Sequence, residues 1–268
     1  MITREQYSRN QQIIQNRMIK TFVPKVEAAI HSQIAHAVHA VRTRGIHAAQ
    51  GNIHGSIMND EIGAVITELY HVAAKLAIRK YKPNIKAFGA TADFISKVLA
   101  FFKKYLLDKV VLPISRTTSD RIEEVLQEAV SEGWGVDQTV KEFEDTDITK
   151  FRARLIVRTE TVKATNFTQL AAADMEDYEM EKQWIAVEDR RTRRSHSHAG
   201  VDGERQDLDQ PFSNGLMFPG DPEGDAAEVC NCRCTLGYFA KRDLNGKLIP
   251  KTTPPLDILS RINMNRAA

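Results

Sequence analysis

Cysteine is missing from the chain until Cys230, and then occurs three times in five residues, as Cys230, Cys232 and Cys234 within VCNCRCTL. Thiols so close together cannot build a disulfide framework, because bonds between near neighbours are strained and one thiol is left over. A reducing, cytosolic site of synthesis is the expectation. Long apolar runs are missing too. The opening MITREQYSRNQQIIQ contains no stretch of signal-peptide length. The best spanning candidate, Phe94 to Pro113, carries Lys97, Lys103, Lys104, Asp108 and Lys109, which excludes an ordinary membrane-spanning segment. There is also no dense run of one charge that would by itself mark a nucleic-acid arm.

What is present is an ordinary globular composition, 42% hydrophobic and 27% charged over 268 residues, long enough for one or two domains. The net charge of +2 conceals an asymmetry. Residues 1–110 hold 16 Lys or Arg against 7 Asp or Glu, a balance of +9, while the remainder holds 21 against 28, a balance of −7. The basic half suits an acidic protein face or DNA, and the acidic half is poorly suited to phosphate. A lysine-rich helical surface with no such partner produces the same count.

Helical periodicity dominates residues 1–112. Val23, Ala28, Ile30, Ile34, Val38 and Val41 recur at helical spacing before Gly45, and Asp60 to Tyr81 reads as a second helix ahead of Pro83. His31, His36 and His39 have no carboxylate at ligand spacing and read as surface histidines. ADFISKVLAFFKKYLLDKVV is amphipathic, and Pro113 after it predicts a boundary. Ser119 is the expected N-cap of a helix ending at Gly133; a short helix from Asp137 to Phe143 and a longer one from Asp147 to Leu170 follow.

From Trp184 the texture changes to Gly, Pro, Asp and Ser with short apolar pieces, which predicts short strands between ordered turns, WIAV and CTLGYF pairing. On an extended strand Cys230, Cys232 and Cys234 would share one face. Glu179-Met180-Glu181 matches an E-x-E pattern of ADP-ribosyltransferases, but is expected at a helix end and reads as chance. The expected class is α+β: mainly helical N-terminal and central parts with a small turn-rich C-terminal lobe of short β-strands. The expected segments are a helical region 1–112, a domain 113–240 and a tail 241–268.

Arg158-Thr-Glu160, Asn166, Trp184, Asp189, Thr192-Arg193, a histidine, Asp202-Gly203, Pro211-Phe212, Pro219-Gly220-Asp221-Pro222 and Asn231-Cys232-Arg233-Cys234 stand in a fixed order. In that order and spacing, over about residues 114–239, the chain resembles the phage Mu F-like minor head protein, or head morphogenesis, family. The family histidine corresponds to His196 by its distance from Thr192-Arg193, or to His198 by its distance from Asp202-Gly203. The resemblance implies a non-enzymatic minor capsid protein of a tailed-phage head, made in the host cytoplasm and located in the virion, in the head interior or at the portal vertex. Its implied partners are the portal protein and the major capsid or scaffold protein; DNA contact through the basic half is an expectation from the charge balance alone. The implied role is in procapsid assembly, DNA packaging or DNA delivery.

Three readings of the cysteine segment remain open on the residues alone. His196 or His198 could join Cys232 and Cys234 at a structural zinc ion, with Cys230, Asp189 or the second histidine as fourth ligand. A thiolate beside histidine could act as a nucleophile. The rival function, separately, is a metal-dependent hydrolase or toxin-type effector domain carried by a prophage. Alternatively the thiols pack as small apolar groups beside a hydrogen-bonded turn network.

Overall fold

The computed structural model describes residues 3–50, 56–81, 91–144, 148–197 and 199–252. It is α+β and mainly helical, with one small antiparallel sheet towards the C-terminus. Helix α1 (Arg4–Arg44) runs through Pro24, which sits on the exposed side. A mid-helix proline loses one backbone hydrogen bond, and burial of Met18, Phe22, Val23 and Val26 on either side offsets it. Gly45, at φ 82, ends α1 as the sequence predicts. The short α2 (Ile46–Ala49) follows, and α3 (Ser56–Tyr81) begins four residues earlier than expected.

The amphipathic segment forms α4 (Thr91–Tyr105) and continues as a π-helical turn, Leu106–Val111, into α5 (Leu112–Ser131). Two expectations are corrected here. Pro113 does not interrupt the chain: it occupies the first turn of α5, where a missing N–H is tolerated. The wider turn before it, in which the Leu112 N–H reaches the Leu107 carbonyl, keeps the path helical. Nor does Ser119 cap a helix. It lies inside α5, buried, and accepts a 2.9 Å hydrogen bond from Gln33 Nε2. A distant partner thus satisfies a hydroxyl that local rules assign to a helix end. Gly133, at φ 66, does close α5, with Trp134 N donating to Ala129 O.

Helices α6 (Val136–Glu144) and α7 (Ile148–Ala173) complete the helical part. The sheet has the order β2-β1-β3, with β1 (Met180–Ile185) at its centre, β2 (Arg205–Asp207) on one edge and β3 (Thr235–Ala240) on the other. Register places Trp184 opposite Leu236 and Gln183 opposite both Gly237 and Arg205. The β1–β3 pair is the predicted one. Strand β2 is too short and polar to announce itself. The E-x-E match lies where β1 begins, paired in register with β2 and β3, not at a helix end.

Contacts divide the chain into two compact units, each drawn from separated stretches. One comprises residues 20–68 and 103–157. Its core sets Ala37, Val41 and Ala49 against Ile122, Val125, Leu126 and Phe143. The other comprises residues 1–19, 69–102 and 158–268. There Phe101 stacks on Phe167 with ring centroids 3.8 Å apart, Phe102 on Tyr70 at 4.4 Å, and Phe218 lies 5.7 Å from Phe167. Such aromatic pairs add to the area they bury. This second unit carries the sheet and the whole signature from Arg158 to Cys234. Among the described residues, no helix is long and apolar enough to cross a membrane.

Candidate functional site

The C-terminal stretch of α7 is unusual for a buried helix: Thr159, Glu160, Thr161, Lys163, Thr165, Asn166, Thr168 and Gln169 are all nearly inaccessible. Buried polar groups need partners, and most of these find them in the turn-rich lobe or along α7. Arg158 donates to Asn231 Oδ1 at 2.6 Å, and the Asn231 backbone N–H donates to Thr159 Oγ1 at 2.8 Å. Glu160 accepts from Lys163 Nζ at 3.0 Å and from the Tyr70 hydroxyl. Burial and the Glu160 carboxylate push the Tyr70 phenol well above the usual tyrosine range. Asn166 spans the gap between helix and lobe. Its amide nitrogen donates to Val162 O at 3.0 Å and to Pro219 O and Cys234 O at 3.2 Å each, while its oxygen accepts from Leu236 N at 3.2 Å.

The remaining signature residues fasten the lobe to itself. Asp189 and Arg233 form a bidentate pair at 2.5 and 2.6 Å, and the guanidinium holds the carboxyl well below the usual carboxylate range. Arg193 donates to the carbonyls of Ala227 and Cys230. Asp202, almost fully buried, accepts from Ala186 N at 2.7 Å and from Arg4 of α1 at 2.8 Å on each oxygen. Gly203, at φ 85, donates its N–H to Trp184 O. Asp221 receives Met217 N at 2.9 Å and Glu223 N at 3.1 Å, closing the turn after Pro219.

Gly220 explains its own identity. Its φ is 84, and a Cβ there would come within 2.9 Å of the Lys163 backbone nitrogen on α7. Gly220→Ala should therefore cost about 1–3 kcal/mol for the strained backbone alone, with a further loss from the clash. Gly246→Ala, at φ 77 with nothing within 4 Å, supplies the comparison. Urea midpoints should fall further for Gly220→Ala; equal losses would show that the close approach carries no weight.

The cysteines do not share a strand face. Cys230 follows α8 (Ala226–Val229), and Asn231 adopts φ 58, a left-handed conformation that asparagine tolerates better than most residues. That reversal sends Cys232 and Cys234 inward and leaves Cys230 half-buried, outside the cluster. His196 comes from a 3-10 turn, Arg194–His196, and is buried beside Trp184 with ring centroids 4.9 Å apart. Its Nδ1 lies 3.6 Å from Cys232 Sγ and 3.7 Å from Cys234 Sγ, and its Nε2 lies 2.9 Å from Glu228 Oε2. The Cys234 thiol, donating to Cys232, pulls Cys232 below the ordinary thiol range and pushes Cys234 well above it, a rise to which burial adds.

His196, Cys232 and Cys234 form the one group of potential metal donors found among the described residues. Of the expected fourth ligands, Cys230 stands apart and Asp189 is committed to Arg233. His198 lies outside the described residues. His31, His36 and His39 are exposed, as expected of surface histidines. Sequence reasoning missed Glu228, Ser195, Tyr70 and Arg4; none carries a local signal of its role.

The segment that holds this network can be compared with known proteins. Residues 120–237, somewhat under half of the chain, match the family described as phage Mu protein F like protein. That segment is phage Mu F-like. The match supports the resemblance read from Arg158 to Cys234 and the description of the chain as a structural protein of a phage head. The Mu F-like segment begins inside α5 and ends in β3, so it contains every signature residue described above. No curated protein and no solved structure matches the chain.

Proposed function

We propose that the chain is a minor head protein that associates with the portal vertex of a tailed phage and assists procapsid assembly, DNA packaging or DNA delivery. The observation that carries this reading is the Mu F-like signature, whose residues act in this chain as fasteners between α7 and the lobe and within the lobe. Such a network makes a rigid body for docking. Residues 1–112 are proposed as the docking region, with portal, major capsid or scaffold protein as partners and DNA as a further contact. The exposed side chains of Arg17, Lys20, Lys75, Lys80, Lys97 and Lys104 supply the positive charge for an acidic face or a phosphate backbone.

A metal-dependent hydrolase is less well supported. The cavity beside His196, Cys232 and Cys234 measures about 10 Å³, close to one water molecule. Small-molecule sites run to about 300 Å³ and more.

Co-expressed with portal and capsid proteins, the full chain should sediment with procapsids or with portal oligomers. Charge reversal at Lys75, Lys80 and Lys97 together should weaken that association, and the loss should resemble the effect of raised salt. Recovery of the chain only in the free fraction, with complete heads that lack it, would remove the assembly reading.

A further inference from the structure

We propose that Nδ1 of His196 and the sulfurs of Cys232 and Cys234 are three ligands of a zinc ion that ties the 3-10 turn to the NCRC segment, with Glu228 as the residue that positions the histidine. This inference stands on the local geometry and does not depend on the head-assembly reading.

Two thiols converge on a single ring nitrogen, at 3.6 and 3.7 Å. A neutral imidazole whose Nε2 faces a carboxylate carries its proton there, which leaves Nδ1 with one lone pair. One lone pair can serve one thiol, and the other thiol can reach only its neighbour's sulfur, so hydrogen bonding uses the imidazole nitrogen for a single contact. A cation at the common centre satisfies all three donors together. The spacing agrees with this: Zn–S near 2.3 Å and Zn–N near 2.05 Å at a tetrahedral angle place sulfur and nitrogen about 3.6 Å apart. All donor atoms of the group lie within 4.8 Å of one another.

The surroundings are those of a metal-bound histidine. The second ring nitrogen meets Glu228 Oε2 at 2.9 Å, and Ser195 Oγ donates to the same carboxylate at 2.9 and 3.1 Å. The approach is at ion-pair distance without the alignment of a hydrogen bond; once aligned by metal binding, a carboxylate behind the ligating imidazole fixes its tautomer and raises its basicity. Cys234 N lies 3.4 Å from Cys232 Sγ, a backbone donor that favours a thiolate there. The cavity of about 10 Å³ that these residues line has the size of a single coordinated water, which can complete the fourth position. Two thiolates and an imidazole are a soft, nitrogen-sulfur set that selects zinc over calcium or magnesium. All three ligands are buried.

The test uses the full chain produced in zinc-supplemented medium and measured by elemental analysis. About one zinc per chain is expected for the wild type and for Cys230→Ser, whose thiol lies outside the group. Cys232→Ser and Cys234→Ser should lose it. If these fail to fold, the wild-type protein stripped of metal and reloaded with cobalt reports independently, through the thiolate-to-metal charge-transfer and d–d bands of a tetrahedral site. Glu228 is 31% exposed at its side chain, so its replacement leaves the core intact. Glu228→Ala should bind zinc roughly 10–100-fold more weakly in competition with a chelator, and Glu228→Gln, which keeps an acceptor for Nε2–H, should recover part of the loss. A merely structural role for Glu228 would shift the melting temperature without changing the cobalt spectrum or the affinity. Folded wild-type protein with no zinc and no cobalt spectrum would overturn the proposal, and so would an intact mass lower by two hydrogens, the mark of a Cys232–Cys234 disulfide.

Discussion

Replacing Glu160 by alanine should destabilise the protein by roughly 3–5 kcal/mol, because it leaves the Lys163 ammonium buried and unpaired on α7. Both side chains are almost completely inaccessible, and Lys163 Nζ lies 2.8 Å from Glu160 Oε2. The Tyr70 hydroxyl loses its acceptor at the same time. Removing both charges should hurt less than removing one. In Glu160→Met with Lys163→Met the uncompensated charge is gone, and much of the loss should return. Urea unfolding with an unchanged slope gives the numbers. The idea is lost if Glu160→Ala stays within about 1 kcal/mol of wild type, or if the double variant shows the plain sum of two large single losses. Tyr70→Phe tests the third member: it deletes the hydroxyl and keeps the ring on Phe102, so a loss of about 1–2 kcal/mol is expected.

Asn166 should be as sensitive, and its variants should rank in an order that size alone does not predict. The amide is fully buried, with its nitrogen facing three carbonyls and its oxygen facing the Leu236 N–H. Asn166→Ala strands those groups without water, at about 1–3 kcal/mol for each one left unsatisfied. A net loss of roughly 3–4 kcal/mol is expected after relaxation. Asn166→Asp is nearly the same shape and should be worse than alanine, since an acceptor-only carboxylate would confront the oxygens of Val162, Pro219 and Cys234. Hydrogen exchange at the Leu236 amide should accelerate in both variants, because its acceptor belongs to Asn166. Wild-type stability in Asn166→Asp would show that these contacts do not hold the lobe.

If the two losses are as large as expected, the signature of the Mu F-like segment describes how a lobe is fastened to a helix. Arg158 and Asn166 face turns reached only after more than fifty further residues of chain, and the turns meet them with Asn231, Pro219 and the strand that begins at Thr235. A rigid lobe of this kind suits a protein that works by docking. Arg4, paired with buried Asp202, extends the same fastening to the start of α1.

The sequence by itself determined what depends on neighbours along the chain. Helical periods located α3, α6 and α7 to within a few residues, and α1 and α5 at their C-terminal ends, since apolar spacing of three and four follows from helix geometry. Gly45 and Gly133 marked helix ends through the positive φ that glycine accepts most readily. The strand pair around Trp184 and Leu236 followed from short apolar pieces between turn residues. The order of motifs also disclosed the family. Only the tertiary structure decided the rest. Ser119 looked like a cap and became a buried partner of Gln33; the three cysteines looked like one strand face and were divided by the backbone reversal at Asn231. The polar stretch of α7 has no apolar stripe to announce its burial, since the lobe partners of Arg158 and Asn166 lie some 50 to 75 residues further along the chain and Tyr70, the partner of Glu160, lies 90 residues before it. Glu228 behind His196 is likewise set by two turns that meet only on folding. Local steric rules act within a few residues and leave a period in the sequence. Hydrogen bonds between buried groups depend on which surfaces come together, and that information resides in the packed chain.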